Sequence, residues 1–148
     1  ATELLGIPEE NLIIHNYKVR YFHEHRQEIL EILVKLNKKL RPELVFMPCI
    51  HDLHQDHAVI ANEGLRAFKK TSILAYEIPW NNFNFSSQCF SILKKQHINK
   101  KVNALKCYES QMQRDYASEE YIRSLAKTRG VQIGEDYAEV FEIIRLKI

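Results

Sequence analysis

Apolar residues recur along the chain in two kinds of pattern. Between Phe22 and Leu40 they lie at helical spacing with charged residues between them, which predicts an amphipathic helix that ends before Pro42. The next run, 43-ELVFMPCI-50, is apolar on both faces, as is typical of a central parallel strand covered by helices. With a β-branched run at 12-LIIHNY-17 as a preceding strand, these segments predict a βαβ unit with a right-handed crossover.

The remaining elements follow from the same patterns. They are the end of a helix at 1–7, a helix at 58–70, a strand at 72–78, an aromatic surface loop at 79–90, a helix from about 99 to 112, a helix from an N-cap at Ser118 to near Gly130, and a final strand or extended segment within 137–148. Alternation of strands and helices predicts an α/β fold around a mostly parallel sheet.

Composition limits the class of protein. A length of 148 residues with 45% hydrophobic residues predicts a single domain over 1–148. The net charge of +2 gives no reason to expect a nucleic acid or an anionic membrane as partner. Three cysteines without motif spacing favour a reducing compartment, and no apolar run approaches the roughly 20 residues of a membrane span. We therefore expect a cytoplasmic protein.

The segment 48-PCIHDLHQDHAVI-60 carries the candidate chemistry. It places three histidines and two aspartates within seven residues, directly after the predicted strand 43–50. In parallel α/β sheets, ligands bind at the carboxyl ends of the strands. Neutral imidazole is a zinc ligand, and an aspartate can fix its tautomer through the second ring nitrogen. His54, Asp56 and His57 therefore form the candidate site, which could supply one or two of the three protein ligands of a catalytic zinc.

Three alternatives compete with this interpretation. The histidines and aspartates could simply be a polar loop that caps the next helix. His51 and Asp52 form the adjacent pair of HD-type phosphohydrolases, but those proteins are all-helical, whereas this pair follows a predicted strand. A structural zinc knuckle from Cys49, His51, His54 and His57 would need four ligands from one short segment, at a spacing that matches no usual zinc pattern.

A second candidate region lies in the aromatic loop. Trp80, with Asn81 and Asn82, could stack against a sugar ring and form hydrogen bonds with its hydroxyl groups. An aromatic loop that only packs on its own domain is the alternative.

Four motifs in a fixed order resemble one family of enzymes. They are 41-RPELVFMP-48, 54-HQDH-57, 101-KVNALKCYESQ-111 and 128-TRGVQIGEDYAEVF-141. Together they resemble the PIG-L/LmbE family of zinc-dependent N-acetyl-sugar deacetylases, over most of the chain. The resemblance implies a Rossmann-like three-layer fold with zinc at the carboxyl ends of the parallel strands.

The resemblance also implies roles for individual residues. His57 matches a zinc ligand, His54 the histidine that stabilises the oxyanion or protonates the leaving amine, and Asp56 a carboxylate that orients and tunes a histidine. Gln55 stands where the family motif has proline. The early His-Pro-Asp-Asp motif of the family does not occur, so we expect the chain to be the larger, C-terminal part of such a domain, without its first strand-helix unit.

The implied reaction is the hydrolysis of an acetamido group on an N-acetylated, GlcNAc-type sugar or glycoconjugate, with zinc as cofactor. We expect the 148-residue chain alone to be inactive, because one ligand without a general base does not complete the site. A catalytically inactive remnant that binds carbohydrate or a partner is the alternative. An open apolar sheet edge would also favour homo-oligomers.

Overall fold

The computed structural model describes residues 1–111 and 113–148. Within them the chain forms five α-helices, four β-strands and several short 3-10 helices. In chain order the helices and strands are α1 (Thr2–Leu5), α2 (Arg26–Leu40), β1 (Leu44–Pro48), α3 (Gln55–Ala67), β2 (Ser72–Tyr76), β3 (Cys89–Leu93), α4 (Lys95–Leu105), α5 (Glu119–Val131) and β4 (Tyr137–Arg145). None of the described helices combines the length and the apolar character that crossing a bilayer requires.

The four described strands form one sheet in the order β1-β2-β4-β3. Strand β1 runs parallel to β2, with Leu44 opposite Ser72. Strand β4 runs antiparallel to β2, with Phe141 opposite Tyr76. The α/β class is confirmed, but the predicted mostly parallel sheet is wrong, because the sheet is mixed. Strand β1 also lies at the edge of the described sheet instead of its centre, and Phe46 is exposed there.

The chain divides into two compact units. The first unit comprises Ala1–His15 and Phe90–Glu139, and the second comprises Asn16–Cys89 and Val140–Ile148. The predicted organisation as a single domain stays a prediction.

The second unit packs helices α2 and α3 together and α3 against β1. Its core contains the apolar side chains Leu30, Met47, Ala67, Phe68 and Ile73. Helix α3 packs closely on β1 at Gly64, where a Cβ atom would lie 3.0 Å from the Met47 sulfur, so a larger residue would require the Met47 side chain to shift.

The first unit has its own core, in which α4 packs against α5. Ile98, Val102, Ile122 and Ala126 form this core. Gly130 near the end of α5 is also required, since a Cβ atom there would lie 2.6 Å from the carbonyl oxygen of Glu135. The turn from α5 towards β4 can therefore be this tight only with glycine.

The bounds of α2 and α3 differ from the prediction by a few residues, and three other predicted elements differ more. Residues 12–17 form no strand, and Ile14 is 79% exposed, so this apolar run lacks the partners that stabilise a strand. The aromatic loop predicted over 79–90 ends earlier, where β3 begins at Cys89. The helix predicted from 99 is α4, which already begins at Lys95 and ends at Leu105; Met112, at the end of that prediction, lies outside the described residues.

Candidate active site

The candidate site is built by the turn that joins β1 to α3, within the second unit. The backbone N–H of Asp52 donates to the carbonyl oxygen of Cys49 at 3.1 Å, which reverses the chain after the strand. Helix α3 then begins at Gln55 with His54 as its N-cap. The histidine cluster therefore lies at the carboxyl end of a parallel strand, as predicted.

His54 caps α3 with its side chain. Its Nδ1 accepts a hydrogen bond from the backbone N–H of Asp56 at 3.2 Å. A ring nitrogen that accepts carries no proton, so the neutral ring holds its proton on Nε2. His54 is thus a hydrogen-bond donor on the side of the ring that faces away from the helix.

The carboxylate that contacts the ring of His57 is Asp52. Its Nδ1 lies 2.8 Å from Asp52 Oδ2, and the Asp52 side chain is fully buried while that of His57 is 34% exposed. The other Asp52 oxygen, Oδ1, accepts the backbone N–H of His54 at 2.8 Å. The rings of His54 and His57 are stacked, with centroids 4.5 Å apart and planes 22° apart. The two histidines of the predicted site are therefore brought together.

Asp56 is buried and holds a neighbouring turn. Its Oδ2 accepts the backbone N–H of Arg20 at 2.6 Å, and its Oδ1 accepts that of Phe22 at 3.2 Å. Arg20 lies in the left-handed region with φ of 73°, where non-glycine residues are strained. The hydrogen bond to a histidine ring that was expected of Asp56 is made by Asp52. The catalytic role of Asp56 stays a prediction.

The structure places the predicted substrate loop beside the histidine turn. The backbone N–H of Leu53 donates to the carbonyl oxygen of Asn81 at 3.2 Å. A hydrogen bond within the loop stabilises it, because Asn82 Oδ1 accepts the backbone N–H of Ile78 at 2.6 Å. Trp80, next to Asn81, is 65% exposed. An exposed indole at this position is compatible with stacking on a sugar.

Burial shifts the pKa of two side chains near the histidine turn, a buried cysteine and a partly buried tyrosine. Burial raises the pKa of the Cys49 thiol to about 11, and the thiol donates to Glu142 Oε2 at 3.2 Å. Burial also raises the pKa of Tyr76 at the end of β2, and the negative charge of Asp52 adds to this effect. Cys49 is therefore a protonated, buried thiol, and Tyr76 lies within electrostatic range of Asp52.

The fit of these residues to a metal is partial. The described part of the chain contains no group of three His, Cys, Asp or Glu side chains that could hold a metal ion together. A four-ligand zinc knuckle is therefore not formed among Cys49, His51, His54 and His57. Metal-binding histidines commonly donate a hydrogen bond from the ring nitrogen that is not bound to the metal to a carboxylate. His57 has this contact with Asp52, so it fits one ligand position.

Asp52 is the site residue that the sequence interpretation missed, and Tyr76 lies within electrostatic range of it. Asp52 was weighed only as a partner of His51. Its position two residues before the N-cap of α3 was the available signal, because aspartate readily accepts the backbone N–H two residues further on. Tyr76 carries no such local signal, since its proximity to Asp52 depends on the pairing of β1 with β2.

Known structures share this fold. No protein-family model matches the chain. The N,N'-diacetylchitobiose deacetylase from Pyrococcus horikoshii matches with a TM-score of 0.69 and 20% identity, over 97% of this chain and 60% of that one. The zinc-inhibited form of teicoplanin deacetylase Orf2 matches with a TM-score of 0.65 and 19% identity, over 87% and 55%. The 4-carboxy-2-hydroxymuconate hydratase GalB from Pseudomonas putida matches with a TM-score of 0.66 and 17% identity, over 99% and 69%.

These likenesses confirm the resemblance to PIG-L/LmbE deacetylases at the level of the fold. Sequence identities of 17 to 20% support the shared fold and no statement about a shared function. The chain spans 55 to 60% of the length of the two deacetylases. The fold also occurs in a hydratase, so the reaction has to be argued from the site.

Proposed function

We propose that this protein is a zinc-dependent hydrolase that removes the acetyl group from an N-acetylamino sugar or glycoconjugate. The observation that carries the proposal is the stacked pair of His54 and His57 at the start of α3, with Asp52 bound to Nδ1 of His57. The fold shared with two sugar-related deacetylases supports the same reaction class.

His57 would contribute a zinc ligand through Nε2. When bound, zinc supplies a Lewis acid that polarises the amide carbonyl and makes water a better nucleophile. The general base and the further ligands belong, by the family resemblance, to a His-Pro-Asp-Asp motif that this sequence does not contain.

The Nε2–H group of His54 would donate a hydrogen bond to the oxygen of the tetrahedral intermediate. The backbone N–H of Asp56 occupies Nδ1, so Nε2 is the ring nitrogen that remains to donate. Of the two roles expected for His54, the proposal assigns oxyanion stabilisation over protonation of the leaving amine. Asp56 would act at the site by holding the turn at Arg20 and Phe22 against the start of α3.

The substrate would be bound beside this histidine pair. The exposed Trp80 would stack on a face of the sugar, and Asn81 would lie next to it as a hydrogen-bonding group. The deacetylases of similar fold act on diacetylchitobiose and teicoplanin, which supports an acetamido sugar as the reacting unit. The three-layer arrangement, the cytoplasmic location and homo-oligomers stay predictions. No contact among the described residues favours the non-catalytic alternative.

Zinc content and acetate release together test the proposal. Full-length wild-type protein, His57→Ala and His97→Ala would be compared, with N-acetylglucosamine and diacetylchitobiose as substrates. His97 is a matched control because it is exposed and lies near the start of α4, in the other unit. We expect about one zinc per wild-type chain, lost in His57→Ala and retained in His97→Ala, and acetate release that follows the zinc.

Other results separate the parts of the proposal. Zinc that depends on His57, without acetate from any N-acetyl sugar, would contradict the deacetylase and leave a metal-binding protein with another reaction. Zinc that is absent, or indifferent to His57→Ala, would overturn the metal site itself.

A further inference from the structure

We infer that Asp52 is the positioning residue of this site, and that it fixes the ring of His57 and the backbone of His54 with one buried carboxylate. The inference about geometry stands on the contacts of Asp52 alone. Its purpose, to present His57 to a metal, rests on the proposed function.

Both oxygens of Asp52 are used, and by different histidines. Oδ1 accepts the backbone N–H of His54 at 2.8 Å, and Oδ2 lies 2.8 Å from His57 Nδ1. The side chain of Asp52 has no exposed surface. Water therefore does not compete for either oxygen, and the two bonds hold the N-cap and the ring at a fixed distance from each other.

The chemistry of the pair determines where the His57 proton lies. An ionised carboxylate can only accept, so Nδ1 of His57 must be the nitrogen that carries the proton. The lone pair of the neutral ring is then on Nε2, on the other side of the ring. Asp52 thus selects the tautomer that a metal needs at Nε2.

The contacts of Asp56 show how a carboxylate in the same segment binds when both of its oxygens accept backbone N–H groups. Both of its oxygens accept backbone N–H groups, from Arg20 and Phe22. A carboxylate that only capped the turn would need no bond to an imidazole. Asp52 bonds to one backbone N–H and to the His57 ring, and the second bond is the one that carries the inference.

The substitution Asp52→Asn makes a sharp test, because its geometry leaves one choice. The amide oxygen must face the N–H of His54, which needs an acceptor, so the NH2 group faces Nδ1 of His57. The NH2 group donates, and Nδ1 would have to accept, which moves the ring proton to Nε2. Asp52→Asn should therefore reverse the tautomer of His57, whereas Asp56→Asn, the same change four residues later, should leave it as it is.

The ring nitrogen spectra of the 15N-labelled, metal-free full-length protein measure this directly, in mildly alkaline buffer where an ordinary histidine is neutral. His57→Ala assigns the signal of His57. We expect the Nδ1–H form in wild type and in Asp56→Asn, and the Nε2–H form in Asp52→Asn. An Nε2–H form or an even mixture in wild type would overturn the inference, even if Asp52→Asn did not fold. The same is true if Asp56→Asn reverses the tautomer and Asp52→Asn does not.

Zinc affinity supplies the second measurement. Loss of a carboxylate behind a metal-binding histidine typically weakens metal binding on the order of 10 to 100-fold, and we expect this for Asp52→Asn. Unchanged zinc affinity with a reversed tautomer would overturn the role of Asp52 towards the metal. The Nδ1–H form in a wild-type protein that binds no zinc would uphold the geometry of Asp52 and would contradict the proposed function instead.

Discussion

The starts of helices α3 and α4 each use Nδ1 of a histidine as a hydrogen-bond acceptor, from the N-cap position at α3 and from the third helical position at α4. At α3, Nδ1 of His54 accepts the backbone N–H of Asp56 at 3.2 Å. At α4, Nδ1 of His97 accepts the backbone N–H of Lys94 at 3.1 Å. Both bonds satisfy N–H groups that a helix start leaves without an intrahelical partner. A histidine that caps a helix is therefore not by itself a sign of function.

The surroundings of the two histidines differ. Behind His54 lie the buried carboxylates of Asp52 and Asp56, and a second histidine is stacked on its ring. His97 is exposed, and the residues before it at the start of α4 include Lys94 and Lys95. Burial of two carboxylates is costly unless each is hydrogen-bonded, and both are hydrogen-bonded here, so the start of α3 carries polar contacts beyond its helix cap.

The largest expected effect is on the catalytic activity of variants at the two histidines, His54 and His97. His54→Ala should lower kcat/KM for acetate release on the order of 100 to 1,000-fold, because the donor to the oxyanion is lost. His97→Ala should leave it unchanged. Steady-state kinetics of the zinc-loaded, full-length variants measure this. Similar losses in both variants would show that the two helix starts are equivalent and would remove the basis for the comparison.

The next effect concerns stability. Asp56→Ala should lower the free energy of unfolding by about 2 to 3 kcal/mol, because the N–H groups of Arg20 and Phe22 lose their acceptor and the left-handed turn loses its support. Urea denaturation measures the change. Asp115→Ala, which removes an exposed carboxylate from the first unit, is the control and should stay within about 0.5 kcal/mol. A cost for Asp56→Ala as small as this control would mean that the turn at Arg20 is held by other contacts.

Much of the fold could be predicted from the sequence, because its signals are local. A short stretch of sequence is enough to predict three of its elements: the amphipathic helix α2, the apolar strand β1 and the start of α5 at Ser118. The wrong strand at 12–17 has the same β-branched composition, but a strand also needs a neighbour, and Ile14 has none in the sheet. The direction of β4 was equally out of reach, since it depends on pairing with a strand about 65 residues earlier.

The candidate site was predicted in part for the same reason. His54 and His57 were found because they lie one helical turn apart at the end of an apolar run. The choice between Asp52 and Asp56 as the partner of His57 could not be made from spacing. It depends on the turn in which Asp52 bonds back to Cys49. It also depends on the backbone N–H of Arg20, which is distant in sequence and donates to the Asp56 carboxylate.

A third effect compares cysteines in the two units. Cys49 is buried beside Glu142, and the pKa of its thiol is raised from 9.0 to about 11, whereas Cys107 is exposed. In the unfolded chain the thiol ionises first, so the stabilising contribution of Cys49 is complete below pH 9 and is lost as the pH rises towards 11. Wild type should lose about 1 to 2 kcal/mol more than Cys49→Ala over this range.

Denaturation at several alkaline pH values tests this, with Cys107→Ala as the control. Cys107→Ala should follow the pH dependence of wild type. A parallel course of wild type and Cys49→Ala would show that the thiol is not held protonated by the fold.

The smallest effect concerns a helix start that has only a capping role. At α5, Ser118 Oγ accepts the backbone N–H of Tyr121 at 3.2 Å, and Glu119 and Glu120 follow in the first turn. Ser118→Ala should lower the free energy of unfolding by about 1 kcal/mol and leave the activity intact, and Ser118→Asp should restore the stability, since aspartate is an equally good N-cap.

The matched substitution at α3 is His54→Asn, which replaces the N-cap histidine by asparagine, a residue that is favoured at this position. If α3 started like α5, His54→Asn would preserve both stability and activity. We expect it to preserve stability and to lose most of the activity, because asparagine satisfies the N–H of Asp56 but cannot place a donor where Nε2 of His54 lies. Urea denaturation and acetate release on the same preparations separate these outcomes. Retained activity in His54→Asn would reduce His54 to a cap and leave His57 and Asp52 as the functional part of the site.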